Sequence, residues 1–172
     1  MKKILLIIFL FLASLAMLFH ANAQNEDFEE TGRRHYNNAF FKARPQKNKA
    51  RADAEFALAE KAFQKAIEKN PQRVAGYLHL GRTYHRQKKY AAAAGIYRSA
   101  LIIAPQQKKI YLRLASALEK DRDYRGAVNA LEELRALESD DRANRIIDEF
   151  IGQIEKRAAG AEHNKSQSGE LP

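Results

Sequence analysis

The sequence predicts an all-α fold of stacked helix pairs, an α-solenoid. Three observations carry that expectation: a 34-residue window that repeats, apolar and small residues that return at helical spacing within it, and proline near the ends of successive windows. Residues 74–107 set above 108–141 pair Tyr77 with Tyr111, Leu78 with Leu112, Leu80 with Leu114 and Gly81 with Ala115. The pairing continues with Tyr84 and Leu118, Tyr90 and Tyr124, Ala93 and Ala127, Tyr97 and Leu131, Ala100 and Leu134.

The chain opens with Met1-Lys2-Lys3, an apolar run from Ile4 to Phe19 broken only by Ser14, and Ala21-Asn22-Ala23. A basic start, apolar middle and small-x-small exit have the order of a secretory signal peptide, with cleavage expected after Ala23. The mature chain is then expected in the periplasm or outside the cell. The alternative is a retained anchor, since about 20 residues span a bilayer, and membrane contact is expected only in that case. Cleavage leaves 28 basic against 21 acidic side chains, a net charge of +7. The chain has no cysteine, which excludes disulfides, thiolate metal sites and cysteine nucleophiles.

The mature part, 24–158, reads as one helical domain with repeats at about 30–73, 74–107 and 108–141. Its first helix is expected from about Glu26 to Lys42, carrying Tyr36, Ala39, Phe40 and Phe41. Phe56, Ala59, Phe63, Ala66 and Pro71 reproduce the second-helix pattern one period ahead of the next window. Between them Ala43 to Lys49 intervene, read as eight to ten extra residues in either a longer loop or an extended second helix. In the middle window Tyr77, Leu80, Gly81 and Tyr84 form one stripe. After Gln87-Lys88-Lys89, Tyr90, Ala93, Tyr97 and Ala100 form another, which Pro105 ends. Gly81, Ala93 and Ala100 allow close approach, and Tyr84 and Tyr97 fill the space beside them. Ile146, Ile147, Phe150, Ile151 and Ile154 give one more amphipathic helix, 142–158, which would cover the open end of the stack. Residues 159–172 have no period and are expected to be disordered.

Tyr77-x-x-Leu80-Gly81-x-x-Tyr84, followed by Tyr90, Ala93, Tyr97, Ala100 and Pro105, resembles the tetratricopeptide repeat (TPR) family, with Tyr where Trp is commonest. The third window departs at Ala115, Leu131, Leu134 and Ser139. The resemblance implies a right-handed solenoid whose first helices line a concave face. Candidates for partner binding on that face are Leu78, His79, Arg82, His85 and Arg86, with Lys109, Leu112, Arg113 and Ser116. Some family members grip a peptide's terminal carboxylate with basic residues and asparagine. Lys109 and Arg113 match two places of that clamp, and His79 stands where asparagine is expected. If Phe40 is the last packing aromatic of the first helix, Arg34 and Asn38 complete the set.

No zinc-binding His pair on one helix face, phosphate-cradling Gly-rich loop or nucleophile elbow occurs in the sequence, so no catalysis, metal or cofactor is expected. Function then falls to surface shape and charge: a protein-binding adaptor of the bacterial envelope whose partner is another envelope protein or peptide, acidic or with a free C-terminal carboxylate. The bland alternative is that these charges merely solvate a helix surface. A rival is a structural component held to anionic wall polymer or membrane surface by net charge, especially through Lys42, Arg44, Lys47, Lys49 and Arg51. Nucleic acid is not expected, because the bases are interleaved with 21 acidic residues and no recognition motif is present.

Overall fold

The computed structural model describes residues 28–43 and 48–168, with side chains to residue 163, and every element in them is helical. Helix α1 covers residues 28–37 and runs into a π-helical turn, Asn38–Ala43. Then follow α2 (Lys49–Lys69), α3 (Val74–Arg86), α4 (Tyr90–Ile103), α5 (Lys108–Lys120), α6 (Tyr124–Ala136) and α7 (Asp141–Ser168). The signal-peptide segment and residues 44–47 of the insert lie outside the described residues. The helices form two compact units, one ending at His79 and one beginning at Leu80, so α3 contributes to both.

In the first unit a glycine sets the spacing between α1 and α2. A Cβ on Gly32 would fall 2.5 Å from Phe63 Cε1, so only hydrogen lets the phenyl ring lie against the α1 backbone. Phe63 is fully buried, with Phe56, Ala59 and Ala66 beside it in the core. Phe28 lies one turn before Gly32, its ring centroid 4.4 Å from Lys69 Nζ. Asn48 caps α2, its side chain accepting from Arg51 N–H at 3.0 Å.

The same device recurs in the second unit, where a Cβ on Gly81 would sit 2.5 Å from Cε1 of the buried Tyr97. There α4 packs on α5, α5 on α6 and α6 on α7. The shared core contains Leu80, Ala93, Tyr97, Ala100, Ile110, Leu114, Leu118, Leu131 and Leu134. Neighbours in sequence being neighbours in space is the arrangement that repetition predicts.

The turns repeat as closely as the cores. Tyr77 donates its hydroxyl to the Pro71 carbonyl at 3.0 Å, and 34 residues later Tyr111 donates to Pro105 at 2.9 Å. Between paired helices, Lys88 and Arg122 adopt φ of 63° and 66°. Lys89 N–H reaches the Tyr84 carbonyl and Lys88 N–H that of His85; Asp123 and Arg122 do the same to Leu118 and Glu119. Each is a Schellman ending with a charged residue in the left-handed place usually given to glycine. The third inter-repeat turn, with Ser139 in the proline's place, is built differently. Glu138 accepts from Lys108 Nζ at 2.9 Å and from the Ser139 and Asp140 N–H groups.

Two expectations need correction. The insert is longer than eight to ten residues: Gly81 follows Gly32 by 49 residues but Tyr97 follows Phe63 by 34, leaving 15 extra in the first pair. The extra length appears partly in α2, which has 21 residues against 14 in α4. The C-terminal helix, expected to end at 158, continues to Ser168. Residues 159–168 lack an apolar period, but Ala158, Ala159 and Ala161 are strong helix formers and carry it on.

Candidate functional site

On α5 the buried side is formed by Ile110, Tyr111, Leu114, Ala115, Ala117 and Leu118. That leaves Lys109, Leu112, Arg113 and Ser116, spaced i, i+3, i+4, i+7, along a single outer stripe. Lys109 is exposed, Leu112 is 46% exposed, and Arg113 and Ser116 are half-buried. One turn beyond, Lys120 extends the stripe, a residue the sequence reading did not select although its spacing from Arg113 continues the pattern.

Within the same unit α3 supplies Arg82 and His85, both half-buried, and the exposed Arg86. The His85 ring stands edge-on to Tyr90, centroids 5.2 Å apart. Its pKa is held below the ordinary 6.5, first by burial and then by the positive charges of Arg86, Lys120 and Arg113. No carboxylate is among the groups acting on it. Two buried donors or acceptors here, His85 Nε2 and Arg113 Nε, have no hydrogen-bond partner. Unpaired buried polar atoms of this kind cost free energy.

The first unit treats its candidates otherwise. His79 stacks flat on Phe63, centroids 5.1 Å apart and planes at 13°, so its ring is engaged in packing. Leu78 is half-buried on α3. Arg34 is exposed, and Asn38 begins the π-helical turn. The register that would make them clamp residues is not the one formed. Gly32 occupies the place of Gly81, so the α1 residues in the places of Leu78 and Arg82 are Glu29 and Arg33, five before Arg34 and Asn38. Glu29 is buried and ion-paired to Arg73 at 3.2 Å, and Arg33 pairs with Glu30. Thr31 and His35 replace the large apolar residues of the repeat pattern in α1, which hid the register from the sequence.

A concavity of about 600 Å³ lies between the start of α6 and the later turns of α7, with Tyr124, Val128, Ala158 and Ala161 among its walls. Arg122, Arg125, Glu155 and Glu162 at its edges give it mixed charge. Among the described residues no cluster of three or more His, Asp or Glu could hold a metal ion. No described helix is long and apolar enough to cross a membrane.

The tetratricopeptide repeat family model matches residues 48–108, from the cap of α2 to the start of α5. No curated protein matches the sequence. Among solved structures, the N-terminal domain of stress-induced protein-1 (STI-1) from C. elegans superposes with a TM-score of 0.54. It is 18% identical and the match covers 78% of this chain and 97% of that one. The likeness shows the fold, an all-α solenoid of the TPR kind.

Proposed function

We propose that a chain with this TPR-type architecture is a non-enzymatic protein-binding module of the bacterial envelope. Its ligand is an acidic or C-terminal segment of another envelope protein, taken up on the α3–α5 face of the second unit. The observation that carries the reading is the pair of unsatisfied groups, His85 Nε2 and Arg113 Nε, in a setting where Arg86, Lys120 and Arg113 bring only positive charge to the ring. A ligand carboxylate would meet the guanidinium with charge-assisted hydrogen bonds, while Leu112 offers an apolar contact. Lys109 and Arg82 at the ends of the stripes would select for negative charge and speed encounter.

The test uses fluorescently labelled acidic peptides with free or amidated C-termini, together with affinity capture from the envelope fraction. Lys109→Glu with Arg113→Glu should weaken peptide binding by tenfold or more while helical circular dichroism is unchanged. Equal binding by the double variant would reject the basic face. A preference for the free carboxylate over the amide would place the peptide's end on Arg113, and no preference would mean that internal acidic residues are read.

A further inference from the structure

The lengthened first hairpin carries a second surface with different chemistry. From Thr31 to Ala52 the sequence has seven Lys or Arg and no Asp or Glu. Four rings form a ladder out of the core: Phe56, 1% exposed, meets Tyr36 edge-on at 5.7 Å. Tyr36 stacks on Phe40 at 6.2 Å, and Phe40 meets Phe41 edge-on at 4.9 Å. Phe41, the last ring, is 66% exposed. Lys42 follows it, and Lys49 and Arg51 open α2 where the chain returns; all three are exposed.

We infer that this hairpin end docks on an anionic lipid surface, with the Phe41 ring entering the headgroup boundary and Lys42, Lys49 and Arg51 lying over acidic headgroups. A bulky apolar ring backed by a packed ladder is costly to hold in water, and a boundary layer takes up such a ring while its flanking ammonium groups stay wet. The charge is complementary to anionic lipid, and each basic residue near such a surface contributes about 1 kcal/mol. Lipid is favoured over nucleic acid because the apolar run from Ile4 to Phe19 is expected to act as a signal peptide or an anchor, and either would bring the chain to a membrane. These residues belong to the first unit and the proposed peptide-binding residues to the second, and docking on lipid does not depend on a peptide being bound.

The chain has no tryptophan, so Phe41→Trp supplies a single tryptophan emitter in the full chain. Mixed with vesicles containing phosphatidylglycerol, its emission should shift to the blue and be quenched by lipids brominated on their acyl chains. Leu112→Trp, at another exposed apolar site, on α5, should show neither change. Adding Lys42→Glu and Lys49→Glu to Phe41→Trp should raise the anionic-lipid concentration needed for half the shift by about thirtyfold or more, thirtyfold being the loss of the two positive charges alone. Phosphatidylcholine vesicles should give little shift. The inference is overturned by an unshifted, unquenched emission at position 41, by the same response at position 112, or by a response indifferent to lipid charge and to the two reversals. A response to single-stranded oligonucleotide but not to vesicles would overturn it as well.

Discussion

Gly32 and Gly81 do the same work 49 residues apart, each giving an aromatic ring direct access to a helix backbone. Replacing either with leucine forces that ring out of its rotamer, an overpacking cost of about 1–3 kcal/mol, read as a lower denaturation midpoint at unchanged slope. The two tyrosine-to-proline hydrogen bonds are smaller effects. Tyr111→Phe should lose about 1 kcal/mol, and Tyr77→Phe less, because its bond is solvent-exposed. Gly81 and Tyr97 were legible as packing residues from their spacing, but a hydroxyl bonding a carbonyl six residues back leaves no periodic trace. His85 gives the site a sign with pH. Its pKa lies below 6.5 in the fold, so stability is fully present above that value and declines as pH falls through the folded pKa. Binding runs the other way. A carboxylate beside the ring favours its protonated form, so peptide affinity should tighten as pH falls from about 7.5 to about 5.5. His85→Gln should flatten that dependence, measured by fluorescence anisotropy across the range.

At the scale of elements, helix endings divide into those the period dictates and those it does not. Lys88 and Arg122 hold left-handed backbone at equivalent places, so Lys88→Gly and Arg122→Gly should each raise stability by about 0.5–1 kcal/mol in chemical denaturation. The turn before α7 rests on Glu138. The Lys108 ammonium and the Asp140 and Ser139 N–H groups hold its carboxyl below the usual 4.5, against a smaller opposing effect of burial. Its contribution is present above that value and lost as pH falls through the folded pKa, a loss that Lys108→Met should reduce in acid titrations. In the sequence Ser139 is legible only as a departure from proline, because a hub of three donors on one carboxylate depends on where the chain folds back. The register of the first helix is hidden from the sequence for a related reason. Its tight contact is made at Gly32 rather than in the aromatic-rich stretch 36–41, and the 15 added residues break the count that locates every other helix.

For the whole molecule, what the repeat predicted was order: helices in sequence packing on helices in sequence, which a 34-residue period specifies without knowledge of any single contact. The period cannot specify where the array stops. Of the α7 apolar residues, Ile147 and Ile154 are buried, while Ile146 and Phe150 remain 48% exposed. Arg135 and Asp148, 2.8 Å apart, join α6 to α7 outside that core. Ile147→Ala with Ile154→Ala should cost about 4–10 kcal/mol if additive and increase dye binding to exposed apolar surface, because both are buried on the helix that packs against α6. The insert in the first pair points somewhere else. Fifteen extra residues separate Gly32 from Phe63, yet the contact between them keeps the form seen in the uninterrupted pair. A position that absorbs foreign length this way is a natural splice point, so an epitope or affinity tag grafted between Ala43 and Asn48 should be displayed without cost to the scaffold that carries it.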